Sequence, residues 1–477
     1  MKRACLAFAL LSAVPASAIP GLATFGADSA PTNDLRQAIE GVADVPVDRT
    51  RELQEMIDRV SAAGGGEVRL GKGVHTAGGI FLKDGVMLRL DAGAVLQAVT
   101  NLSHYPHTPG WDRGAVVMAD GATDISVVGE GTIDGRGDRM PILRRVPGRW
   151  RGVAFNRCRN VRIEGVKIVN PMTWSCYLKA CDGVVVRDVT IHAHANLNND
   201  GLDIESSNVL VEGCDVDSED DALVFKTTSR ESVVTNVTVR NCRLSSNSSF
   251  IKVGTETRGV FRDIRVSDCR LEVRTPLSRR SGYGSVPGCA TNQVGLDGIG
   301  VSIFDGGSLD GFTAERITMG EGIGVPVFIR IGQSERVDDT VPGGSFLRNV
   351  VLRDVTMEKP AVFRVPSSVT GVAAYDPWWR FWKRPVASLR PQNVRFENVT
   401  LRTAADFPGD AVADDVDEMA ASYPVGKMFA NEGLAPANAL YVRHADGVVL
   451  SNIRVLREPG PTLRETFVAE DADVSGR

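Results

Sequence analysis

Short runs in which β-branched apolar residues alternate with other residues recur along the chain, each entered through Asn, Asp or Gly. They are Asp124-Ile125-Ser126-Val127, Asn160-Val161-Arg162-Ile163, Gly183-Val184-Val185-Val186, Asn208-Val209-Leu210-Val211, Asn236-Val237-Thr238-Val239 and Asp263-Ile264-Arg265-Val266. The pattern returns at Asn349-Val350-Val351-Leu352, Asn393-Val394-Arg395-Phe396 and Gly447-Val448-Val449-Leu450. From Val161 through Val184, Val209 and Val237 to Ile264 the steps are 23, 25, 28 and 27 residues. Period-two alternation predicts strands, and repetition at twenty-odd residues predicts a solenoid. No long helical pattern separates the runs, and the spacing of a leucine-rich repeat is absent. The expected fold is all-β, a right-handed parallel β-helix.

The segment ahead of the repeats has a different period. Leu53, Met56, Ile57 and Val60 fall at i, i+3, i+4 and i+7, which predicts a short helix N-capped by Asp48 and ended by Gly64-Gly65-Gly66. Such a helix covers the open end of a solenoid core. Gly79-Ile80-Phe81-Leu82, Val86 to Leu90 and Ala94-Val95-Leu96 read as the first coils. The predicted organisation is a single domain over 19–477, with an N-terminal cap at about 23–75, coils at about 76–456 and a C-terminal cap or tail at about 457–477.

Composition narrows the class. Forty-nine glycines and 23 prolines in 477 residues, with 43% hydrophobic residues, describe a turn-rich globular chain. A net charge of −5 argues against general nucleic-acid binding. Met1-Lys2-Arg3, the apolar stretch Ala4 to Val14 and Ala16-Ser17-Ala18 have the form of a signal peptide over 1–18. A secreted or periplasmic protein is expected, with no membrane partner, because no later apolar run is long enough to span a bilayer. A monomer is expected. Seven cysteines follow the leader, and Cys214, Cys242 and Cys269 stand at matching strand ends of successive repeats, as a ladder of small buried side chains would. No CxxC or supporting His spacing marks a metal site, and no cofactor is expected.

The chemistry concentrates in Asn198-Asn199-Asp200-Gly201 and Glu219-Asp220-Asp221-Ala222. The two clusters lie about one repeat apart, so they fall side by side on neighbouring coils. Hydrolysis of a glycosidic bond needs such a set, one carboxyl to protonate the leaving oxygen and one to activate water. Capping of turns is the bland reading, but it does not require three carboxylates in register.

At these residues the chain resembles the polygalacturonase-type glycoside hydrolases of family 28, which share the pectin-lyase-like solenoid. The resemblance runs from about Ala23 to Asp471. It rests on the Gly64-Gly65-Gly66 turn, Leu90-Asp91-Ala92-Gly93-Ala94, Gly131-Thr132-Ile133-Asp134-Gly135, the two Asp clusters with Lys226, Phe328-Ile329-Arg330-Ile331, Tyr423-Pro424 with Met428-Phe429, and Leu440-Tyr441-Val442-Arg443-His444. It implies hydrolysis of a pectin-type, galacturonate-containing polysaccharide or oligosaccharide with inversion. Asp220 would be the general acid, with Asp200 and Asp221 as base, and Asn198, Lys226 and Arg330 would contact substrate. The chain departs from the family in two places. Ser248-Ser249-Phe250 stands where the family has Gly-His-Gly, and Arg330-Ile331-Gly332 keeps the arginine of an Arg-Ile-Lys clamp but loses its lysine. Lys252 either replaces the lost cation or is an ordinary strand lysine. His194, on one side of a strand with His192, either replaces the lost histidine or is a solvated packing residue.

Trp378 to Arg384 forms an aromatic and basic cluster between prolines, either a wall for an anionic glycan or an apolar lid, and Arg279 to Tyr283 is a shorter loop of the same kind. His444 reads as part of the C-terminal cap or of the far end of a cleft. Two other functions stay open on sequence alone: a β-helix polysaccharide lyase, whose products carry a conjugated double bond, and a non-catalytic glycan-binding β-helix, which releases no reducing ends.

Overall fold

A computed structural model describes residues 47–105, 114–142, 148–276, 294–333, 344–373, 388–406 and 435–476. The leader at 1–18, the loops at 279–283 and 378–384, Cys289 and the Tyr423 to Phe429 motif lie outside the described residues. Among the described residues one α-helix, Thr50–Ala62, precedes twenty-eight strands joined in one sheet, and the strands of successive coils pair in parallel. The chain is the expected β-helix solenoid.

The Asn, Asp and Gly residues that open each repeat have a common backbone reason. Asp124, Asn160, Asn208, Asn236, Asp263, Asn349 and Asn393 have φ between 49° and 59°, and Gly183, Gly311 and Gly447 share their place in the coil at positive φ. A β-branched residue is strained in this left-handed corner, whereas Gly, Asn and Asp enter it readily. The Asn side chains then bond along the solenoid: Asn236 Nδ2 donates to Asn208 Oδ1 at 2.7 Å and Asn393 Nδ2 to Asn349 Oδ1 at 2.6 Å. Each such bond contributes about 0.5–1.5 kcal/mol net.

After the corner, one residue in two turns inward. Ile125, Val161, Val184, Val209, Val237, Ile264, Phe312, Val350 and Val394 stand in register from coil to coil, and all are buried. Full burial of one such side chain is worth roughly 1.5–3 kcal/mol. Phe312 belongs to a coil, Ser308–Met319, that the repeat pattern did not reveal. Its corner is glycine and its strand reads Gly-Phe-Thr-Ala, with the long insertion at 272–294 breaking the period before it. Cys214, Cys242 and Cys269 form the expected buried ladder of free thiols.

The ends differ from expectation in three respects. The helix buries Leu53 and Ile57 as read, but its N-cap residue is Arg49, and Asp48 accepts from the Thr50 amide at 2.9 Å from one position earlier. Arg49 N bonds to Thr76 O at 2.8 Å, which fixes the entrance of the helix to the sheet. Coils begin near residue 66 and not 76, because Gly66–Leu70 already pairs in parallel with Val86–Leu90. Gly65 and Gly85 meet backbone to backbone there, and a Cβ on Gly65 would stand 2.8 Å from Gly85 O. At the other end Glu465–Ser475 is a further parallel strand on Ala437–Arg457, so stacking runs past 456. His444 belongs to this terminus, with Nδ1 2.6 Å from Asp471 Oδ2.

Candidate functional site: an acidic floor crossing three coils

Asn198 to Gly201 forms the turn before strand Leu202–Glu212, and Glu219 to Ala222 forms the same turn one coil later, before Leu223–Thr227. The strands are in register, Leu202 beside Leu223 and Leu223 beside Ile251. Gly201 N donates to Asp221 O at 2.8 Å, and a Cβ on Gly201 would lie 2.4 Å from Ala222 O and from Val216 Cγ1. Only glycine lets the coils close at this point, which explains the Asp-Gly pair. Asn199 pins the turn from within, donating to Pro171 O and Thr173 O and accepting from Asn196 N.

Four carboxylates and two ammonium groups meet here. Lys226 Nζ lies 3.1 Å from Asp200 Oδ2 and 2.6 Å from Asp203 Oδ1. Lys252 Nζ lies 2.8 Å from Asp221 Oδ2. Asp221 Oδ1 also accepts from Ser248 Oγ at 2.9 Å and Ser249 N at 3.2 Å, so the Ser-Ser turn of the next coil serves this carboxylate. Asp220 accepts from Asn198 Nδ2 at 3.1 Å and from Asp221 N at 3.0 Å. The Asn198 amide has a fixed direction, because its Oδ1 accepts from Arg149 Nη2 at 2.9 Å and a guanidinium can only donate. Exposure rises in the order Asp203 0%, Asp200 3%, Asp221 4% and Asp220 7%. Asp220 is the carboxylate of the four that solvent reaches best.

Burial, reinforced by the neighbouring aspartates and opposed by Lys226, holds the Asp200 carboxyl well above the carboxylate range. Burial likewise pushes Asp203 up to about 6. Asp221 goes the other way: burial would raise it, but Lys252 and Lys226 outweigh burial and hold it below its ordinary value. Burial opposes the charge on both lysines, yet the surrounding carboxylates win, and Lys226 and Lys252 hold their protons more tightly than in water. The floor thus separates a carboxyl that keeps its proton from one that gives it up.

Four contributors escaped the sequence reading. Asp203 lies between the apolar Leu202 and Ile204, and alternation places it on the opposite side of the strand from them. Trp174, half-buried, receives Lys226 Nζ 3.8 Å from its ring centroid and Arg151 at 4.7 Å. Arg149 orients Asn198 from 49 residues away in sequence. Asp297 accepts from Ser249 Oγ at 3.3 Å, beyond the insertion that breaks the period.

Lys226 and Lys252 are buried, at 4% and 7% exposure, and each is committed to a carboxylate. Arg330 stands three coils beyond the row of Lys226, about 14 Å at ~4.8 Å per coil. It is 1% exposed, with Nη1 3.2 Å from Thr370 Oγ1. His194 is turned to Asp217, its Nε2 3.0 Å from Oδ1, with the His192 ring centroid 5.1 Å away.

Known proteins resemble the chain in sequence and in fold. Residues 68–275 match the sequence profile described as "Glycosyl hydrolases family 28". An endo-polygalacturonase of Pectobacterium carotovorum subsp. carotovorum is 24% identical over 252 residues, 46% of this chain and 62% of that protein. The chain thus spans less than two thirds of the length of this curated relative. Among solved structures, a family 28 exopolygalacturonase of Yersinia enterocolitica superposes over 90% of this chain and 76% of its own, with a TM-score of 0.59 and 17% identity. A polygalacturonase of Erwinia carotovora ssp. carotovora superposes over 91% and 95%, with a TM-score of 0.53 and 17% identity. A surface adhesin of Streptococcus pneumoniae superposes over 92% and 91%, with a TM-score of 0.51 and 12% identity. At these identities the structural likeness establishes the β-helix, and the adhesin illustrates that a fold does not fix a chemistry. The matched segment 68–275 holds Asp200, Asp203, Asp220, Asp221, Lys226 and Lys252, and over this segment the chain is similar to the polygalacturonase-like hydrolases of glycoside hydrolase family 28.

Proposed function

We propose that the chain hydrolyses O-glycosidic bonds of a pectin-type, galacturonate-containing polysaccharide or oligosaccharide on the acidic floor. The observation that carries the reading is the meeting of Asp200, Asp220 and Asp221 at one turn of adjacent coils, with Asp220 the most exposed and Asp221 held ionised by Lys252. Asp220 gives a proton to the glycosidic oxygen as the bond to the anomeric carbon breaks. Asp221 takes a proton from the water that adds to that carbon, and Asp200, which keeps its own proton, positions that water by a hydrogen bond. Inversion is what the resemblance to the family suggests. Asn198 positions Asp220, Lys226 and Lys252 set the charge of the floor, and Trp174 offers a face on which a sugar ring stacks. Lys252 also stands in for the cation lost at Gly332, and Ser248-Ser249 takes the place of the family's histidine turn. Arg330, three coils beyond the row of Lys226, is assigned a contact with a substrate carboxylate. His194 has no part in this reading, because its ring is engaged by Asp217.

A lyase would need Lys226 or Lys252 as a neutral base. Both are paired with carboxylates and hold their protons more tightly than usual, which argues against that role. Secretion through the leader at 1–18 and action as a monomer complete the proposal. The test is a reducing-end assay on galacturonan, rhamnogalacturonan and neutral galactan fragments. New reducing ends on a uronate-containing fragment, without ultraviolet absorbance from an unsaturated product, are expected. Unsaturated products would make the protein a lyase, and binding without cleavage would make it an adhesive β-helix.

A further inference from the structure

The side chains of His192 and His194 project from strand Thr190–Ala193 and the residue after it, and Asp217 faces them from Asp215–Ser218 of the next coil. His194 Nε2 lies 3.0 Å from Asp217 Oδ1 and His192 Nδ1 lies 3.6 Å from Asp217 Oδ2. Among the described residues these three offer one ligand atom each, all within 4.8 Å of one another. The geometry points to a binding site for one divalent transition cation of the zinc class, held by His192, His194 and Asp217 and distinct from the acidic floor.

The donor set selects the class. Two imidazoles and one carboxylate suit zinc, nickel, cobalt or copper, whereas magnesium and calcium favour all-oxygen shells. Bonds of about 2.0–2.2 Å put ligand atoms roughly 3.3–3.6 Å apart in a four-coordinate site, so a small inward movement closes the group. The carboxylate is already oriented: Ser245 Oγ donates to Oδ1 and Thr275 Oγ1 to Oδ2, each at 2.7 Å. Hydroxyl donors of this kind fix a ligand and leave its remaining lone pairs for a metal.

His194 supplies an independent indication. Its side chain is 8% exposed, and its Nδ1 is buried without a hydrogen-bond partner. With the proton on Nε2, Nδ1 is a buried lone pair with nothing to accept. With the proton on Nδ1, two lone pairs face each other at 3.0 Å across the contact with Asp217. A cation held between Nε2 and Asp217 removes the second conflict, with the ring proton carried on Nδ1. His192, 51% exposed, gives the site access to solvent. Because the histidines sit on the coil of Asp200 and Asp217 on the coil of Asp220, the cation would bridge the two coils that carry the acidic floor.

The untagged full chain, stripped with a chelator and desalted, is titrated with zinc chloride by calorimetry, with magnesium and calcium chloride as controls. One zinc per chain in the micromolar range or tighter is expected, with a higher melting temperature. Cobalt(II) should give visible absorption typical of a site of four or five ligands. His192→Ala, at a half-exposed position, should melt like the metal-free wild type but bind zinc at least tenfold more weakly, and His194→Gln should do the same. Equal zinc affinity in wild type and His192→Ala, no stoichiometric binding, or equal binding of magnesium or calcium would overturn the site and leave the group as a hydrogen-bonded corner.

Discussion

Two buried aspartates, Asp406 near the C-terminal end and Asp200 on the acidic floor, are almost equally hidden from water and opposite in character. Asp406 is 0% exposed and receives Arg464 Nε and Nη2 on one oxygen, and Leu463 N, Arg464 N and Arg457 Nη2 on the other. Burial would raise its carboxyl, but the Leu463 amide and Arg464 outweigh burial and hold it below the ordinary range. Asp200 is 3% exposed, has Lys226 on Oδ2, and leaves Oδ1 buried without a hydrogen bond. Its neighbours include three further aspartates, and its carboxyl is held high. The first carboxylate is matched by donors and serves the fold. The second is outnumbered by its own kind, which is how a site keeps a proton available near neutral pH.

The largest effect expected from that contrast is on turnover. Asp220→Asn should lower hydrolysis by about 10²–10⁴-fold, because an amide cannot donate the proton, while the thermal transition stays in place. Retention of more than about a third of wild-type turnover would remove Asp220 from the role of acid.

A matched pair of substitutions addresses the contrast itself. Asp406→Asn leaves a buried guanidinium without its counter-charge, which costs about 3–5 kcal/mol, and the surviving folded fraction should keep its specific activity. Asp200→Asn relieves crowding among carboxylates, so it should cost little stability and much activity. Denaturant unfolding beside kinetics measures both. Equal destabilisation by the two changes would show that the distinction is mistaken.

The sequence carried the two halves of this comparison unequally. The floor was legible because Asp200, Asp220 and Asp221 are spaced by the coil period, so alignment in sequence became alignment in space. The matched site was not, since Asp406 and Arg464 meet across 58 residues and no repeat of the pattern links them. Asp203 was a missed local signal: a charged residue between two inward-facing apolar ones had to point outward, toward Lys226. Arg149 and Asp297 carried no local signal at all. His192 and His194 were legible as one side of a strand, but Asp217 joins them only through the pairing of neighbouring coils.

Stability against pH should report the same division. Unfolded Asp203 ionises near ~3.9, and folded Asp203 near about 6. Between these values the fold retains a proton that the unfolded chain has lost. The stabilisation is therefore complete below the unfolded value and lost as pH rises to about 6. Asp406 has the opposite sign: its contribution is complete above the unfolded value and lost as pH falls through its depressed folded value. Asp203→Asn should flatten the decline between pH 4 and 6 by an amount on the order of 2–3 kcal/mol and leave the acid limb unchanged. An unchanged decline in the variant would mean that Asp203 does not carry the proton.

The smallest effect expected is at Arg330, where the contrast between structural and functional charge is least decided by geometry. Its strand is otherwise apolar, its guanidinium is 1% exposed, and Thr370 is a partner. As a substrate contact, its planar fork would take a uronate carboxylate about three coils from the row of Lys226. Arg330→Ala should then raise KM by the equivalent of roughly 1.5–3 kcal/mol on a uronate substrate, less on a neutral one, with kcat little changed. As a structural residue it would behave like Asp406, with a lower melting temperature and an unchanged KM. Measuring both quantities on the same preparation assigns Arg330 to one side of the comparison.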